Sequence, residues 1–200
     1  KALCKAPLPA WVFDGRDGVH TAEGSWSPKA GKYVPLRDLP VYKRQYFREN
    51  VLGSNAAHAA TAGKTLFEDE AIRLWTLDDE VVIASIKSKM HTISDQVTAG
   101  LAKGLQMAEA GYKGLVIWSQ EGPFSAGADL QSMMPAFMSG GGKAIAPFEK
   151  QLQDFMLSLR YSNVPTVAAM HGLALGGGCE LAVHAAKRVA AMETYVGLVE

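Results

Sequence analysis

Two short apolar runs, Gly114-Leu115-Val116-Ile117-Trp118 and Val164-Pro165-Thr166-Val167-Ala168-Ala169-Met170, constrain this chain more than any other feature. Neither alternates polar with apolar residues, so each predicts a strand buried on both faces. Such strands need helices packed over them, which makes the chain an α/β protein with parallel pairing. The flanking patterns agree. Ser94-Asp95-Gln96 opens a helix whose Val97, Leu101 and Leu105 recur every four residues, with Gly111 expected at its C′ position. Pro147 suits the first position of a second helix, with Phe148, Leu152, Phe155 or Met156, and Leu159 on its apolar face. Upstream, Ala71–Leu77 and Glu80–Ile86 predict a hairpin about Asp78-Asp79. Downstream, Glu180–Lys187 reads as helix and Arg188–Met192 as a last short strand, while Ser139-Gly140-Gly141-Gly142 predicts a flexible stretch.

Residues 1–70 have a different texture. Five of the nine prolines fall in the first forty residues, among Trp11, Phe13, Trp26, Tyr33, Tyr42, Tyr46 and Phe47. Proline at this density prevents long regular elements, while aromatics can anchor an extended chain on a partner surface. The expectation is a linker, with a short helix around Leu39–Val51 and a loop or weak helix over 54–64. With no initiator Met at residue 1, the chain is expected to have been cut from a longer one.

Bulk composition excludes several classes. Twenty Lys+Arg against twenty Asp+Glu leave zero net charge, which removes the electrostatic footprint of a nucleic-acid binder. No window approaches 18 consecutive apolar residues and no signal peptide opens the chain, so no membrane partner is expected. Cys4 and Cys179 are the only cysteines, and the five histidines show no ligand spacing. The expectation is no metal and a reducing, cytoplasmic location.

Twenty glycines, against a usual share of roughly 7%, suggest chemistry carried by backbone. Two loops hold the relevant ones. Phe124-Ser125-Ala126-Gly127-Ala128-Asp129-Leu130 follows the first buried strand, and His171-Gly172-Leu173-Ala174-Leu175-Gly176-Gly177-Gly178-Cys179-Glu180 follows the second and opens a helix. Three consecutive glycines cost folding entropy and make sense where an amide must approach a ligand. No Lys-Ser/Thr follows them and no G-x-G-x-x-G is present, so neither phosphate-loop pattern fits. An amide at a helix N-terminus facing a developing negative charge, an oxyanion hole, is the remaining reading, and two loops would supply its two donors.

These motifs, with Gly197-Leu198-Val199-Glu200 and the twenty-residue interval from Glu180 to Glu200, resemble the enoyl-CoA hydratase (crotonase) superfamily over residues 71–200. Ser88-Lys89-Met90, Leu159-Arg160-Tyr161-Ser162, Thr194-Tyr195-Val196 and the Pro9-Ala10-Trp11-Val12 lead-in are similar to the hydratase half of fused 3-hydroxyacyl-CoA dehydrogenase/enoyl-CoA hydratase proteins. The resemblance implies a crotonase-like spiral of β-β-α units, truncated at the C-terminus, preceded over 1–70 by the tail of a dehydrogenase region. It implies an acyl-CoA thioester as substrate and no cofactor for hydration, with NAD in the dehydrogenase region. Complete family members imply a homo-oligomer, usually a trimer.

Carried over by position, the amides of Ala128 and Gly177 would hold the thioester oxygen while water adds across the 2,3 double bond of fatty-acid β-oxidation. Glu180 would activate water and Glu200 would protonate Cα, two carboxyls sharing the acid and base work. Ala126, Gly127, Asp129, Gly176, Lys89 and Met90 would contact substrate. Alternatives stay open: Glu180 as a helix-start acid, Glu200 as a solvated residue, and Met133, Met134, Met138 and Met156 as acyl pocket or plain core. So do an isomerase and a non-catalytic acyl-CoA-binding fragment. His91, where the family often has Asn, reads as a cap or surface residue.

Overall fold

The computed structural model describes residues 14–15, 18–21, 23–35, 63–120 and 122–199. The expected helix at Leu39–Val51 and the residue Glu200 lie outside them. Two units separate, residues 1–61 and residues 62–200.

In the first unit, β1 (His20–Thr21), β2 (Gly24–Ser27) and β3 (Lys32–Val34) form an antiparallel three-stranded sheet. Trp26 and Tyr33 sit opposite each other and meet edge to face at 5.3 Å, and the Tyr33 hydroxyl donates to the Gly18 carbonyl at 2.8 Å. Part of the expected linker therefore has sheet structure of its own, set by a cross-strand aromatic pair.

The second unit is built on six strands: β4 (Lys64–Glu68), β5 (Ile72–Thr76), β6 (Val82–Ile86), β7 (Leu115–Ile117), β8 (Thr166–Met170) and β10 (Lys187–Ala190), in the order β10-β8-β7-β6-β5-β4. The hairpin β5–β6 turns at Asp79, whose φ is 59°, and the pairs β6–β7, β7–β8 and β8–β10 are parallel as the buried runs require. Regular structure was expected from Ala71, but β4 pairs with β5 and carries it back to Lys64. A register shift between Thr65 and Phe67 interrupts its alternation, which is why the strand does not read as one.

Helix α1 (Asp95–Gly111) covers the sheet with Val97, Leu101, Leu105 and Ala108, all buried, and Ser94 caps it by accepting from Val97 N. Gly100 and Gly104 face Ile72 and Leu74 so closely that a Cβ would stand 2.4 and 2.8 Å from their methyls. Gly111 is the last helical residue, and Tyr112, in extended conformation, takes the cap. Helix α2 (Leu130–Gly140) and helix α3 (Gly142–Arg160) follow. The expected flexible glycines are thus a helix–helix junction, broken only at Gly141 (φ 60°), and Pro147 lies inside α3 rather than at its start. Phe155, Met156 and Leu159 of α3 join the core as expected.

Beyond the main sheet each turn of chain adds a short extended segment to a second layer. Ile93 bridges Ala128, Ser125 bridges Ala174, and β9 (Leu173–Leu175) pairs with β11 (Tyr195–Gly197), all parallel. Main strand, second-layer segment, helix is the repeating unit, and α4 (Gly177–His184) follows β9. This is the β-β-α spiral.

Candidate active site

The second layer places the first loop. Ser125 N donates to Leu173 O, and Leu175 N returns a bond to Ser125 O, both at 3.0 Å. On the other side Ile93 N donates to Gly127 O at 2.8 Å and Asp129 N to Ile93 O at 3.0 Å. Both bonds of that bridge use residues flanking Ala128, so the Ala128 N–H is turned away from Ile93. It makes no hydrogen bond among the described residues.

A strained turn supports this loop from below. Met90 and His91, in the 3-10 turn Lys89–His91, have φ of 57° and 50°, which side chains rarely adopt. The loop holds them there: Ala126 N donates to Met90 O at 3.1 Å, Ser125 Oγ to His91 O at 2.7 Å, and His91 Nδ1–H to Pro123 O at 2.5 Å. Ser125 Oγ also accepts from Gly127 N at 3.1 Å. His91 is half-buried rather than a surface residue, and burial lowers its pKa from 6.5 despite the Pro123 bond.

The second loop supplies the other free amide. Gly176 (φ 49°) donates its N–H to Gly197 O at 2.9 Å. Gly177, the first residue of α4, has no intrahelical acceptor and makes no bond among the described residues. The loops interlock at their glycines. A Cβ at Gly178 would stand 2.7 Å from both the Cβ and the carbonyl oxygen of Ser125, and one at Gly127 (φ 96°) would stand 2.9 Å from Leu175 O and 3.4 Å from Gly177 N. At Gly177 the picture changes: a Cβ there would stand 3.7 Å from Ala128 N, 3.8 Å from Glu180 Oε2 and 3.6 Å from Ile93 Cδ1. A methyl there would make ordinary van der Waals contact with an amide, a carboxylate and an apolar methyl.

Ala128, Gly177 and Glu180 open on a cavity of about 590 Å³. Ile93, Met133, Phe148, Leu152 and Met156 supply apolar wall, while Asp95, Glu149, Gln153 and His184 supply polar wall. Such a place can hold an oxygen that gains negative charge while a carboxylate handles a proton or a water.

The structure thus brings together Ala128, Gly177 and Glu180. It gives other expected residues different work: the amides of Ala126 and Gly176 are engaged, Gly127 is buried in the loop contact, and Asp129 Oδ1 caps α2 by accepting from Gln131 N and Ser132 N. Lys89 and Met90 are exposed on the supporting turn and do not line the cavity; of the methionines, Met133 and Met156 line it, while Met134 and Met138 are exposed elsewhere. Missed from the sequence were Ile93, Asp95 and His184; only His184 carried a signal, standing four residues after Glu180 on one helix face.

Comparison with known proteins follows the same lines. The profile of the family described as Enoyl-CoA hydratase/isomerase matches residues 80–200. A Bacillus subtilis (strain 168) protein named "Probable 3-hydroxyacyl-CoA dehydrogenase" is 36% identical over 201 residues, covering 98% of this chain and 24% of that protein. The human "Methylglutaconyl-CoA hydratase, mitochondrial" is 35% identical over 201 residues, covering 96% of this chain and 51% of that protein. Among solved structures, an enoyl-CoA hydratase/isomerase from Xanthobacter autotrophicus Py2 superposes with a TM-score of 0.60 at 24% identity, over 66% of this chain and 49% of that one, which shows the fold. The chain spans from a quarter to half the length of these relatives. It belongs to the enoyl-CoA hydratase/isomerase family, with the crotonase-like fold.

Proposed function

We propose that this chain carries the oxyanion-binding part of an enoyl-CoA hydratase, which adds water to a trans-2-enoyl-CoA in fatty-acid oxidation. The observation that carries the reading is that Ala128, Gly177 and Glu180 line one cavity, with neither the Ala128 nor the Gly177 amide hydrogen-bonded among the described residues. The thioester oxygen accepts from both amides, which stabilises the enolate formed as water adds at C3. Glu180 holds and deprotonates that water, and Glu200, twenty residues on, delivers the proton to Cα. Residues 1–61 are, in this reading, the tail of a 3-hydroxyacyl-CoA dehydrogenase region that would bind NAD, while β4 draws residues from Lys64 on into the hydratase sheet; the name of the Bacillus relative supports it.

Two substitutions at one position test the amide. Gly177→Ala keeps the N–H and adds a methyl that fits without clash between Ala128 N, Glu180 and Ile93, whereas Gly177→Pro also removes the N–H at a helix position that proline suits. In the protein at its full natural length, the alanine variant should weaken substrate binding. The proline variant should lose a further 10²–10³-fold in kcat, the effect of about 3–4 kcal/mol for one donor. Equal activity in the two variants would remove the amide from the mechanism. Turnover of 3-enoyl- but not 2-enoyl-CoA would make the protein an isomerase instead.

A further inference from the structure

Helix α4 acts as a ruler for the cavity. Gly177 begins it, Glu180 follows, His184 ends it, and all three line the same space. Glu180 and His184 lie on one face, about 6 Å apart along the axis. His184 Nδ1–H donates to the Glu180 carbonyl at 2.7 Å, which fixes the ring and leaves Nε2 without a partner among the described residues. In the neutral ring held this way, Nε2 is an acceptor.

The rest of the polar wall divides in two. Ser94, Thr98 and Ser132 direct their hydroxyls to backbone: Ser94 Oγ accepts from Val97 N, Thr98 Oγ1 donates to Ser94 O, and Ser132 Oγ donates to Asp129 O. The groups left to meet a ligand are Asp95, Glu149, Gln153, Glu180 and His184. All five offer lone pairs when the carboxyls are ionised and the imidazole is neutral, only Gln153 also offers N–H donors, and no Lys or Arg lines the cavity among the described residues.

We propose that the cavity selects enoyl thioesters whose acyl end is uncharged and carries a hydrogen-bond donor such as a hydroxyl, over equal-length thioesters ending in a carboxylate, with His184 as the specificity-determining residue. The inference rests on the proposed function. With the carbonyl on the amides of Ala128 and Gly177 and C3 beside Glu180, the acyl chain continues along α4 toward His184. A hydroxyl arriving there donates to Nε2. A carboxylate arriving there meets acceptors and the like charge of Asp95 and Glu149, with no lining cation among the described residues to offset them.

The test uses the protein at its full natural length at pH 8, with trans-2-enoyl-CoA thioesters of equal chain length ending in methyl, hydroxyl or carboxylate. kcat/KM is measured for each, and the affinity of each saturated counterpart is measured by calorimetry. The hydroxyl series should exceed the methyl series about fivefold, and the carboxylate series should fall about tenfold or more below it. His184→Leu should erase the hydroxyl preference, and Asp95→Asn with Glu149→Gln should narrow the carboxylate gap. A carboxylate turned over as well as a methyl, or a hydroxyl preference that survives His184→Leu, overturns the proposal. Saturated thioesters that bind in the expected order while no 2-enoyl thioester turns over would uphold the selectivity and sink the hydratase reading. Absence of any order in binding and turnover overturns the selectivity itself.

Discussion

The loop from Pro123 to Asp129 presents its free amide from Ala128, a residue with an ordinary side chain, whereas the loop from Gly172 to Gly177 presents one from a glycine at the start of a helix. In the first, the direction of the amide is imposed from outside. Ile93 takes up the groups on either side of Ala128, Ser125 Oγ links His91 O to Gly127 N, and the strained turn at Met90 and His91 backs the whole. In the second, the direction comes from within, because a helix leaves its first amides without acceptors and glycine lets the chain enter at φ 49°. An amide site can therefore be built from hydrogen-bonded support or from backbone freedom. Here one residue of each kind lines the same cavity.

Four substitutions or conditions probe that division, beginning with the largest effect. Gly178→Ala drives a methyl to 2.7 Å from Ser125 Cβ and O, so the interlock of the two loops must open. A loss of about 2–3 kcal/mol in denaturant unfolding is expected; a loss under about 0.5 kcal/mol would mean the loops do not depend on close approach. Ser125→Ala removes both bonds of a fully buried hydroxyl and should cost about 2 kcal/mol, with the first loop losing more hydrogen-exchange protection than the second. Equal loss of protection in both loops would merge what we separate.

Asp129→Ala deletes the cap of α2 and should lower stability by about 1 kcal/mol while leaving acyl-CoA affinity unchanged, since its carboxylate serves Gln131 N and Ser132 N. A large fall in affinity would restore Asp129 as a substrate contact. The smallest effect concerns pH. His91 binds its proton less readily in the folded protein than in the unfolded chain. It therefore subtracts no stability above about pH 6.5 and lowers stability as the pH falls from there toward its depressed folded value. His91→Asn removes this titration at a φ of 50° that asparagine tolerates, so it should flatten the decline seen in thermal unfolding between pH 6.5 and 5. An unchanged slope would assign the decline to other groups.

Elements whose pattern is local were legible in the sequence. The hairpin at Asp78-Asp79, the four-residue spacing of Val97, Leu101 and Leu105, and the apolar runs at 115–117 and 166–170 appear in the structure within a few residues of their expected limits. Elements defined by distant pairing were not. β9 and β11 are three residues each, too short for a period, and exist because they pair with each other and with the second layer. The junction at Gly141 looked like a flexible tract because a helix broken by one left-handed glycine has the same letters as a loop. Asp129 looked like a ligand contact because a capping carboxylate beside a glycine loop carries no mark of which amides it will meet.

Two buried runs were enough to determine a parallel α/β chain, and excess glycine to single out the two loops after them, because strand burial and glycine's freedom act within a few residues. Which amides remain free was decided only by the tertiary structure. Ala126, Gly127, Ala128, Gly176 and Gly177 are alike in sequence as amide donors, and three of the five are consumed by Met90 O, Ser125 Oγ and Gly197 O. Those acceptors lie from two to thirty-six residues away, the farthest being Met90 and Gly197, and only folding brings them into place.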